Sequence, residues 1–282
     1  MIKVLNPGFY STIQDFGRPG YQHLVVPCSG AMDKDSIVFA NRLLGNNDDA
    51  AVIEMTMTGT SLEFNSNTHI CISGAEMSPK LNDFDILQNK CVSVKKGDLL
   101  TFGILKNGFR CYLAVNNGIS SEKVLNSRSL YKGITKSHKL KKGDLLSISE
   151  PLKIIKKNAG IKINEAHFSS DTIDVFKGPE FDKLTNLQVI TILSKLFTIS
   201  KNNNRMGYQL EETLENTLSP IITSPVLPGT IQLTPSGKLI ILMRDCQTTG
   251  GYPRVLQLKE SSINVLAQKY TGKSITFKLI DE

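Results

Sequence analysis

The 282-residue sequence predicts a mainly β fold with a few short helices. Most of its apolar segments are short, rich in β-branched residues and bounded by Gly, Asn, Asp or Pro, which is typical of β-strands. The number and spacing of these segments favour a β-barrel or a sandwich over an alternating α/β fold. The predicted strands cover residues 51–57, 69–73, 99–104, 110–115, 145–148, 173–176, 239–243 and 274–279.

Three helices are predicted, and two of them carry clear end signals. Residues 33–44 begin with Asp33, show apolar side chains at helical spacing and stop at Gly45. Residues 261–270 repeat this pattern. The third helix, over residues 181–195, is open to an alternative, because its β-branched run is equally typical of a strand.

The chain is long enough for two domains, and a lysine-rich, weakly patterned stretch over residues 151–170 marks their predicted junction. We therefore expect an N-terminal half over residues 1–160 and a C-terminal half over residues 161–282, with exchange of strands between the halves allowed. The sequence Lys-Lys-Gly-Asp-Leu-Leu occurs at residues 95–100 and again at 141–146. Because Gly and Asp favour turns, we interpret both copies as hairpin turns that lead into strands.

Composition excludes several classes of protein. The formal charge is +7, but the basic residues lie in short scattered groups without interleaved aromatic residues. This pattern argues against nucleic-acid binding and is compatible with a small anionic substrate. The five cysteines are odd in number and form no Cys-x-x-Cys pair, so reduced thiols are expected. Without an apolar run of roughly 18 residues or an evident secretory signal, we expect a cytoplasmic protein that does not bind membranes.

Four polar clusters, rich in Gly and Pro, are candidates for chemistry: residues 14–21, 27–33, 204–208 and 244–253. The first has a carboxylate three residues from a guanidinium, and a structural turn explains that spacing as well as a site does. The second precedes a predicted helix, where free backbone N–H groups bind anions or Asp33 simply caps the helix. The last carries a Gly-Gly loop, which allows close approach of a ligand to the backbone.

Several familiar sites are missing from the sequence. It has no Gly-x-x-x-x-Gly-Lys-Ser/Thr or Gly-x-Gly-x-x-Gly loop for nucleotides and no Gly-x-Ser-x-Gly nucleophile motif. The four histidines are isolated and lack metal-ligand spacing, so no metal is expected.

Eight ordered motifs span nearly the whole chain: Thr12-Ile13-Gln14-Asp15-x-Gly17-Arg18-x-Gly20-Tyr21, Pro27-x-Ser29-Gly30-Ala31-Met32-Asp33, Ala40-Asn41 with Leu44-Gly45-Asn46, Ser127-Arg128-x-x-Tyr131, Gly178-Pro179, Asn204-Arg205-Met206-Gly207-Tyr208, Pro228-Gly229-Thr230-Ile231-Gln232, and Gln247-Thr248-Thr249-Gly250-Gly251-Tyr252-Pro253. Together they resemble the biotin-dependent carboxyltransferase-like family. The family includes the C subunit of bacterial ATP-dependent 5-oxoprolinase, the carboxyltransferase subdomains A and B of urea carboxylase, and an antagonist of a kinase inhibitor.

The resemblance implies two cyclophilin-like β-barrel domains. It also implies a role in ATP-dependent cleavage of 5-oxo-L-proline to L-glutamate together with 5-oxoprolinase subunits B and A, ATP being used by the assembled complex and the chain being inactive alone. Two alternatives stay open: biotin-dependent carboxyl transfer to a urea-like or guanidine-like amide, and a non-enzymatic antagonist of a kinase inhibitor. No covalent cofactor is expected, because Glu54-Met55-Thr56-Met57 lacks the lysine of a biotin-carrying Met-Lys-Met sequence.

Some positions depart from the family pattern. Leu130 stands where Thr is expected, Cys246 where Arg is common, and Thr234-Pro235-Ser236 where Pro-Pro-Asp is usual. The missing arginine beside Gln247 leaves the exact substrate open.

Within this resemblance we assign roles to eight residues of the four clusters and of the Gln232 motif. Asp15 and Asp245 are the candidates for proton transfer, that is, the catalytic residues. The candidates for substrate binding are Arg18 and Arg205 for anionic groups, Gln247 and Tyr252 for orientation, and Ser29 and Gln232 as further polar contacts. We expect the four clusters to converge on one cleft.

Overall fold

The computed structural model describes residues 1–149 and 166–281. These residues form two compact units. Unit 1 contains Met1–Arg18 and residues 33–149, whereas unit 2 contains Pro19–Met32 and residues 166–281. The predicted boundary between residues 160 and 161 lies outside the described residues. Within the part of the chain that is described, no helix reaches the length and hydrophobicity needed to cross a membrane.

Unit 1 consists of two β-sheets and one α-helix. Its strands in chain order are β1 (Ile2–Asn6), β2 (Tyr10–Gln14), β3 (Val52–Thr56), β4 (Ser61–Phe64), β5 (Thr68–Glu76), β6 (Pro79–Leu81), β7 (Phe84–Asp85), β8 (Val92–Val94), β9 (Leu99–Phe102), β10 (Asn107–Val115) and β11 (Leu145–Leu146). The six-stranded sheet has the order β11-β1-β4-β9-β6-β7, and the five-stranded sheet has the order β2-β3-β10-β5-β8. All pairs in both sheets are antiparallel.

The five-stranded sheet has two different faces, because side chains alternate along each strand. Ile13, Ile53, Leu113 and Ile72 are opposite one another in neighbouring strands and belong to the hydrophobic core of unit 1. One residue along each strand, the register row contains polar side chains that are also buried: Thr12, Glu54, Tyr112 and Ser73. The apolar row stabilises the unit, whereas the polar row lies on the opposite face of the sheet.

Helix α1 (Lys34–Leu44) packs against β5 and β10. Its N-cap is Asp33, whose side chain accepts hydrogen bonds from the backbone N–H and the hydroxyl of Ser36 at 3.1 and 2.6 Å. Its C-cap is Gly45 with φ +73°, a left-handed conformation that glycine adopts without strain. The predicted helix and both of its end signals are confirmed.

Unit 2 contains a closed seven-stranded barrel with the strand order β12-β19-β16-β17-β14-β13-β20, and a separate pair β15-β18. Its elements in chain order are α2 (Ala166–Ser169), β12 (Thr172–Lys177), α3 (Asn186–Ser194), β13 (Phe197–Asn203), β14 (Gly207–Thr213), β15 (Ser224–Pro225), β16 (Thr230–Leu233), β17 (Lys238–Leu242), β18 (Thr249–Gly250), β19 (Arg254–Leu258), α4 (Glu260–Ala267) and β20 (Ser274–Leu279). Only β12 and β20 pair in parallel among the strands described. Met32, at the end of the segment Pro19–Met32, is fully buried in the core of this unit.

The prediction of a mainly β fold with few helices is confirmed. The open choice over residues 181–195 resolves into a 3-10 turn and helix α3. A capping box starts α3, in which Thr185 accepts from the backbone of Gln188 and the Gln188 side chain accepts from the backbone of Thr185. This local cap favours the helix over the strand that the β-branched run also permits.

The two Lys-Lys-Gly-Asp copies form the same turn, as predicted. Asp98 accepts a hydrogen bond from the backbone N–H of Lys95 at 2.7 Å, and Asp144 accepts one from Lys141 at 2.8 Å. Each glycine has φ +93°. The first copy connects β8 of the five-stranded sheet with β9 of the six-stranded sheet. It is therefore a corner between two sheets, and the prediction of a hairpin is wrong for this copy.

Candidate functional site

Asp15 follows β2 directly and organises the polar site of unit 1. Its Oδ1 accepts hydrogen bonds from the backbone N–H of Gly17 at 2.8 Å, the hydroxyl of Ser127 at 2.6 Å and the hydroxyl of Ser129 at 2.7 Å. Its Oδ2 accepts from the backbone N–H of Arg128 at 2.6 Å. The carboxylate therefore fixes Ser127–Ser129, here called the clamped segment, against the end of β2.

Arg18 and Gln14 hold the same stretch of chain by donating hydrogen bonds to its backbone carbonyls. Arg18 is fully buried, and its guanidinium donates to the carbonyl of Ser129. Gln14 donates through Nε2 to the carbonyl of Leu130 at 3.4 Å and to the hydroxyl of Thr12 at 3.0 Å. Its Oε1 is buried and accepts no hydrogen bond from the described residues. A buried acceptor without a partner is costly, so Gln14 is a candidate contact for a donor on a ligand.

Gln14 lies two residues after Thr12 on β2, so it is on the same face of the five-stranded sheet as the buried polar row. Tyr112 accepts a hydrogen bond from the backbone N–H of Asp33 at 2.9 Å, which connects this row to the start of α1. Burial, followed by the negative charge of Glu54, raises the pKa of Tyr112 well above its usual value. Tyr112 is therefore a neutral phenol at physiological pH.

Glu54 and Arg110 add two buried charges to this face. Arg110 Nε lies 4.0 Å from Glu54 Oε1, and their side chains are 2% and 1% exposed. Arg110, Tyr112 and Glu54 are not among the site residues predicted from the sequence. A carboxylate inside the largely apolar strand at residues 51–57 was the available signal, since Glu is rarely buried without a partner.

In unit 2, three of the predicted site residues are in direct contact. Asp245 accepts from Arg205 Nε at 2.8 Å on Oδ2 and from Arg205 Nη2 at 2.9 Å on Oδ1. Asp245 Oδ1 also accepts from the hydroxyl of Ser29 at 2.7 Å. The fold therefore brings together residues that are 216 positions apart in the case of Ser29 and Asp245.

This ion pair anchors the loop that contains Ser29. Arg205 Nη2 donates to the carbonyl of Gly30 at 2.6 Å, and the backbone N–H of Ser29 donates to the carbonyl of Arg244 at 3.0 Å. Ser29 has φ +57° and Gly30 has φ +96°, so two successive residues are left-handed. A serine in this conformation is strained, and the hydrogen bonds of Ser29 with Asp245 and of Gly30 with Arg205 hold the loop in this geometry.

Gln232 lies beneath the Gly-Gly loop of unit 2. It is 2% exposed, and its Nε2 is buried with no hydrogen-bond acceptor among the described residues. A Cβ atom on Gly250 would lie 2.4 Å from this nitrogen, so a larger residue there would require the buried Gln232 side chain to shift. Gln247 is half-buried and Tyr252 is 39% exposed. The Gln247 amide makes no hydrogen bond within the described ranges.

Arg254 and Glu180 tie the strand after this loop to the Gly178-Pro179 motif. Arg254 Nη2 and Nε donate to the Glu180 carboxylate at 2.9 and 3.0 Å, and the backbone N–H of Arg254 donates to Glu180 Oε2 at 2.8 Å. The hydrogen bonds from Arg254 hold the pKa of Glu180 below its usual value. A Cβ on Gly178 would lie 2.2 Å from the Arg254 carbonyl, which explains why glycine stands there.

Within each unit the placement of the eight predicted residues is clear. In unit 1, Asp15 and Arg18 both form hydrogen bonds with the clamped segment. In unit 2, Asp245 contacts both Ser29 and Arg205. Gln232 belongs to β16, and Gln247 and Tyr252 belong to the loop around β18. Their roles toward a substrate stay predictions.

Comparison with known proteins shows the family. The family described as carboxyltransferase domain, subdomain A and B, matches residues 24–279. The sequence is 32% identical to the C subunit of 5-oxoprolinase from Escherichia coli (strain K12) over 283 residues, covering 98% of this chain and 90% of that protein.

Solved structures agree on the fold. The crystal structure of K. lactis urea amidolyase matches with a TM-score of 0.88 and 28% identity, covering 99% of this chain and 19% of that one. The crystal structure of TTHA0988 matches with a TM-score of 0.86 and 24% identity, covering 98% of this chain, which spans 55% of the length of that one. The latter likeness is one of fold alone.

Proposed function

The chain belongs to the family of carboxyltransferase subdomains A and B, and from this we propose that it is the C subunit of an ATP-dependent 5-oxoprolinase. The observation that carries the proposal is the match to the Escherichia coli C subunit, which covers 98% of this chain and 90% of that protein. Likeness to urea amidolyase, by contrast, involves 19% of the urea amidolyase chain. The match therefore spans most of the first protein and a small part of the second.

The proposed reaction opens the lactam ring of 5-oxo-L-proline to give L-glutamate. A lactam amide is a poor electrophile, so ATP phosphorylates the amide oxygen before water attacks. The sequence has no recognisable nucleotide loop, and the companion subunits A and B are the proposed source of the groups that bind ATP. This chain contributes charged groups and hydrogen-bond donors that hold the substrate and stabilise developing charge.

Two of the proposed roles follow from the contacts of the two carboxylates. Asp15 and Asp245 accept four and three hydrogen bonds from their own units, respectively. So many internal donors favour a positioning role for both, and proton transfer by either stays a prediction. In unit 2 the substrate contacts proposed are Gln232, with its unpartnered amide nitrogen, together with Gln247 and Tyr252.

The test is reconstitution. The purified chain should neither hydrolyse ATP nor open 5-oxo-L-proline, and a mixture with subunits A and B should form L-glutamate in an ATP-dependent way. Full turnover by the isolated chain would refute the need for partners. An inactive mixture would reject the 5-oxoprolinase assignment and favour the urea amidolyase-like alternative, which is carboxyl transfer to an amide. That alternative is tested by mixing the same purified chain with a biotin carboxylase and a biotin carrier.

A further inference from the structure

Arg128 differs from the other arginines of this chain. The sequence contains seven arginines, and the guanidinium of six of them forms a hydrogen bond or an ion pair with a described residue. These six pairs are Arg18 with the Ser129 carbonyl, Arg42 with Asp48, Arg110 with Glu54, Arg205 with Asp245, Arg244 with Glu260 and Arg254 with Glu180. The guanidinium of Arg128 makes no hydrogen bond or ion pair with any described residue, although the residue is half-buried.

The backbone around Arg128 is held by many contacts. Its own N–H donates to Asp15 Oδ2 at 2.6 Å, and the hydroxyls of Ser127 and Ser129 donate to Asp15 Oδ1. The N–H of Leu130 donates to the carbonyl of Ile13 at 2.9 Å. Every one of these contacts would survive replacement of the Arg128 side chain, so folding alone does not explain an arginine at this position.

The turn before the clamped segment is strained. Leu125 and Asn126 have φ +52° and +64°, and the backbones of Val124 and Ser127 exchange hydrogen bonds at 2.8 and 3.2 Å. This is the geometry of a tight two-residue turn whose central positions favour glycine, and a leucine there costs of order 1 kcal/mol. Local strain of this kind persists where the surrounding structure fixes one geometry. Here the fixed geometry sets the position of the Arg128 backbone and so the direction in which its side chain begins.

A guanidinium that has no hydrogen-bond or ion-pair partner among residues 1–149 and 166–281 is suited to an external anion. Its planar fork donates two parallel hydrogen bonds to a carboxylate, which makes such pairs stronger and more specific than a single contact. We propose that Arg128 binds the carboxylate of the substrate and that Asp15, Ser127 and Ser129 are its positioning residues. The inference rests on the proposed function, in which 5-oxo-L-proline carries one carboxylate beside the lactam that is cleaved.

The experiment uses the reconstituted mixture with Arg128→Gln, Arg128→Lys and the control variant Arg42→Gln. Arg42 is an exposed arginine paired with Asp48 and belongs to no proposed site. Arg128→Gln should raise the KM for 5-oxo-L-proline about tenfold to hundredfold, as expected for a lost charged hydrogen bond, and leave the KM for ATP within about twofold. Arg128→Lys should fall between wild type and Arg128→Gln, and Arg42→Gln should match wild type.

Two readouts distinguish substrate binding from other roles. The thermal midpoint of Arg128→Gln should stay within about 1 °C of wild type, since the side chain forms no hydrogen bond or ion pair with the described residues. Size-exclusion chromatography should show unchanged assembly with subunits A and B. An unchanged KM for 5-oxo-L-proline, a rise in the KM for ATP alone, or loss of assembly would each overturn the inference, the last by assigning Arg128 to an interface with a partner.

A labelling measurement separates this inference from the proposed function. Phenylglyoxal modifies accessible arginines, and peptide mass spectrometry reports the fraction of Arg128 that reacts in the complete mixture. 5-Oxo-L-proline should reduce this fraction several-fold, whereas inorganic phosphate should not. A wild-type mixture that forms no L-glutamate rejects the proposed function. Failure of 5-oxo-L-proline to protect Arg128, or protection by phosphate instead, rejects the carboxylate site whether or not the mixture is active.

Discussion

Arg205 and Asp245 form a two-point ion pair in which Nε–Oδ2 and Nη2–Oδ1 are 2.8 and 2.9 Å apart, and both residues are 6% exposed. Two further hydrogen bonds extend this pair. Asp245 Oδ1 also accepts from the hydroxyl of Ser29, and Arg205 Nη2 also donates to the Gly30 carbonyl. Charge and hydrogen bonds of these two side chains therefore hold the left-handed Ser29-Gly30 loop within unit 2.

We predict that Asp245→Asn lowers the free energy of unfolding by about 3–5 kcal/mol, because it leaves the buried Arg205 guanidinium without its counter-charge. Asp48→Asn is the matched control, since Asp48 pairs with Arg42 at 2.7 Å but the two side chains are 40% and 58% exposed. Its cost should stay below about 1 kcal/mol. Urea denaturation of both variants checks the prediction, and equal costs would contradict it.

We predict that Asp15→Asn behaves as a positioning variant. An amide offers one acceptor oxygen and a donating NH₂ group, so it cannot accept from Gly17, Ser127 and Ser129 on one side and from Arg128 on the other. The clamped segment should shift, the KM for 5-oxo-L-proline should rise as in Arg128→Gln, and the pH profile of kcat should keep its shape. Loss of one limb of that profile with an unchanged KM would instead support proton transfer by Asp15.

The local part of this structure could be predicted from the sequence, because its causes are local. Helix α1 has its cap at Asp33 and its stop at Gly45 within the same stretch of chain that forms it. The strands likewise follow from apolar alternation, as in Ser274–Leu279, which the structure forms with the predicted bounds. The Gly-Asp turns needed only four neighbouring residues.

The partners of the site residues could not be predicted, because they are distant in sequence. Ser127 and Ser129, whose hydroxyls bind Asp15, are 112 and 114 positions away, and nothing near Asp15 indicates them. The motifs along the chain nevertheless included Asp15, and they included Ser29, Arg205 and Asp245. In the fold, hydrogen bonds join Asp245 to Ser29 and to Arg205. Their assignment to proton transfer or to anion binding depends on which lone pairs and donors remain free, and only tertiary contacts decide that.

We predict that Gly250→Ala destabilises the protein and that Gly251→Ala does not. A Cβ on Gly250 would lie 2.4 Å from Gln232 Nε2, whereas a Cβ on Gly251 would find its nearest neighbour at 3.5 Å, an ordinary contact. Overpacking of this kind costs roughly 1–3 kcal/mol. Gln232→Ala should relieve the cost in the double variant, because the clashing atom is the end of that side chain. Thermal unfolding of these variants and the wild type checks this, and a Gly251→Ala protein as unstable as Gly250→Ala would argue against a clash.

The last prediction concerns acid stability and the pair Glu180–Arg254. Hydrogen bonds from Arg254 lower the pKa of Glu180 from the ordinary 4.5 in the folded protein. A carboxylate with a lowered folded pKa binds its proton more readily in the unfolded chain. Its contribution to stability is therefore complete above about pH 4.5 and disappears as the pH falls through the folded pKa.

Glu180→Gln should accordingly lower the free energy of unfolding by an amount that is constant from about pH 6 to about pH 7. The difference from wild type should then shrink as the pH is lowered below about 4.5, until the two proteins converge. Urea denaturation at a series of pH values measures it. In an Arg254→Met background, where the donor of these hydrogen bonds is gone, Glu180→Gln should have a much smaller effect at every pH. A difference between wild type and Glu180→Gln that stays constant down to about pH 3, or that grows as the pH falls, would show that Arg254 does not hold the Glu180 carboxylate in its charged form.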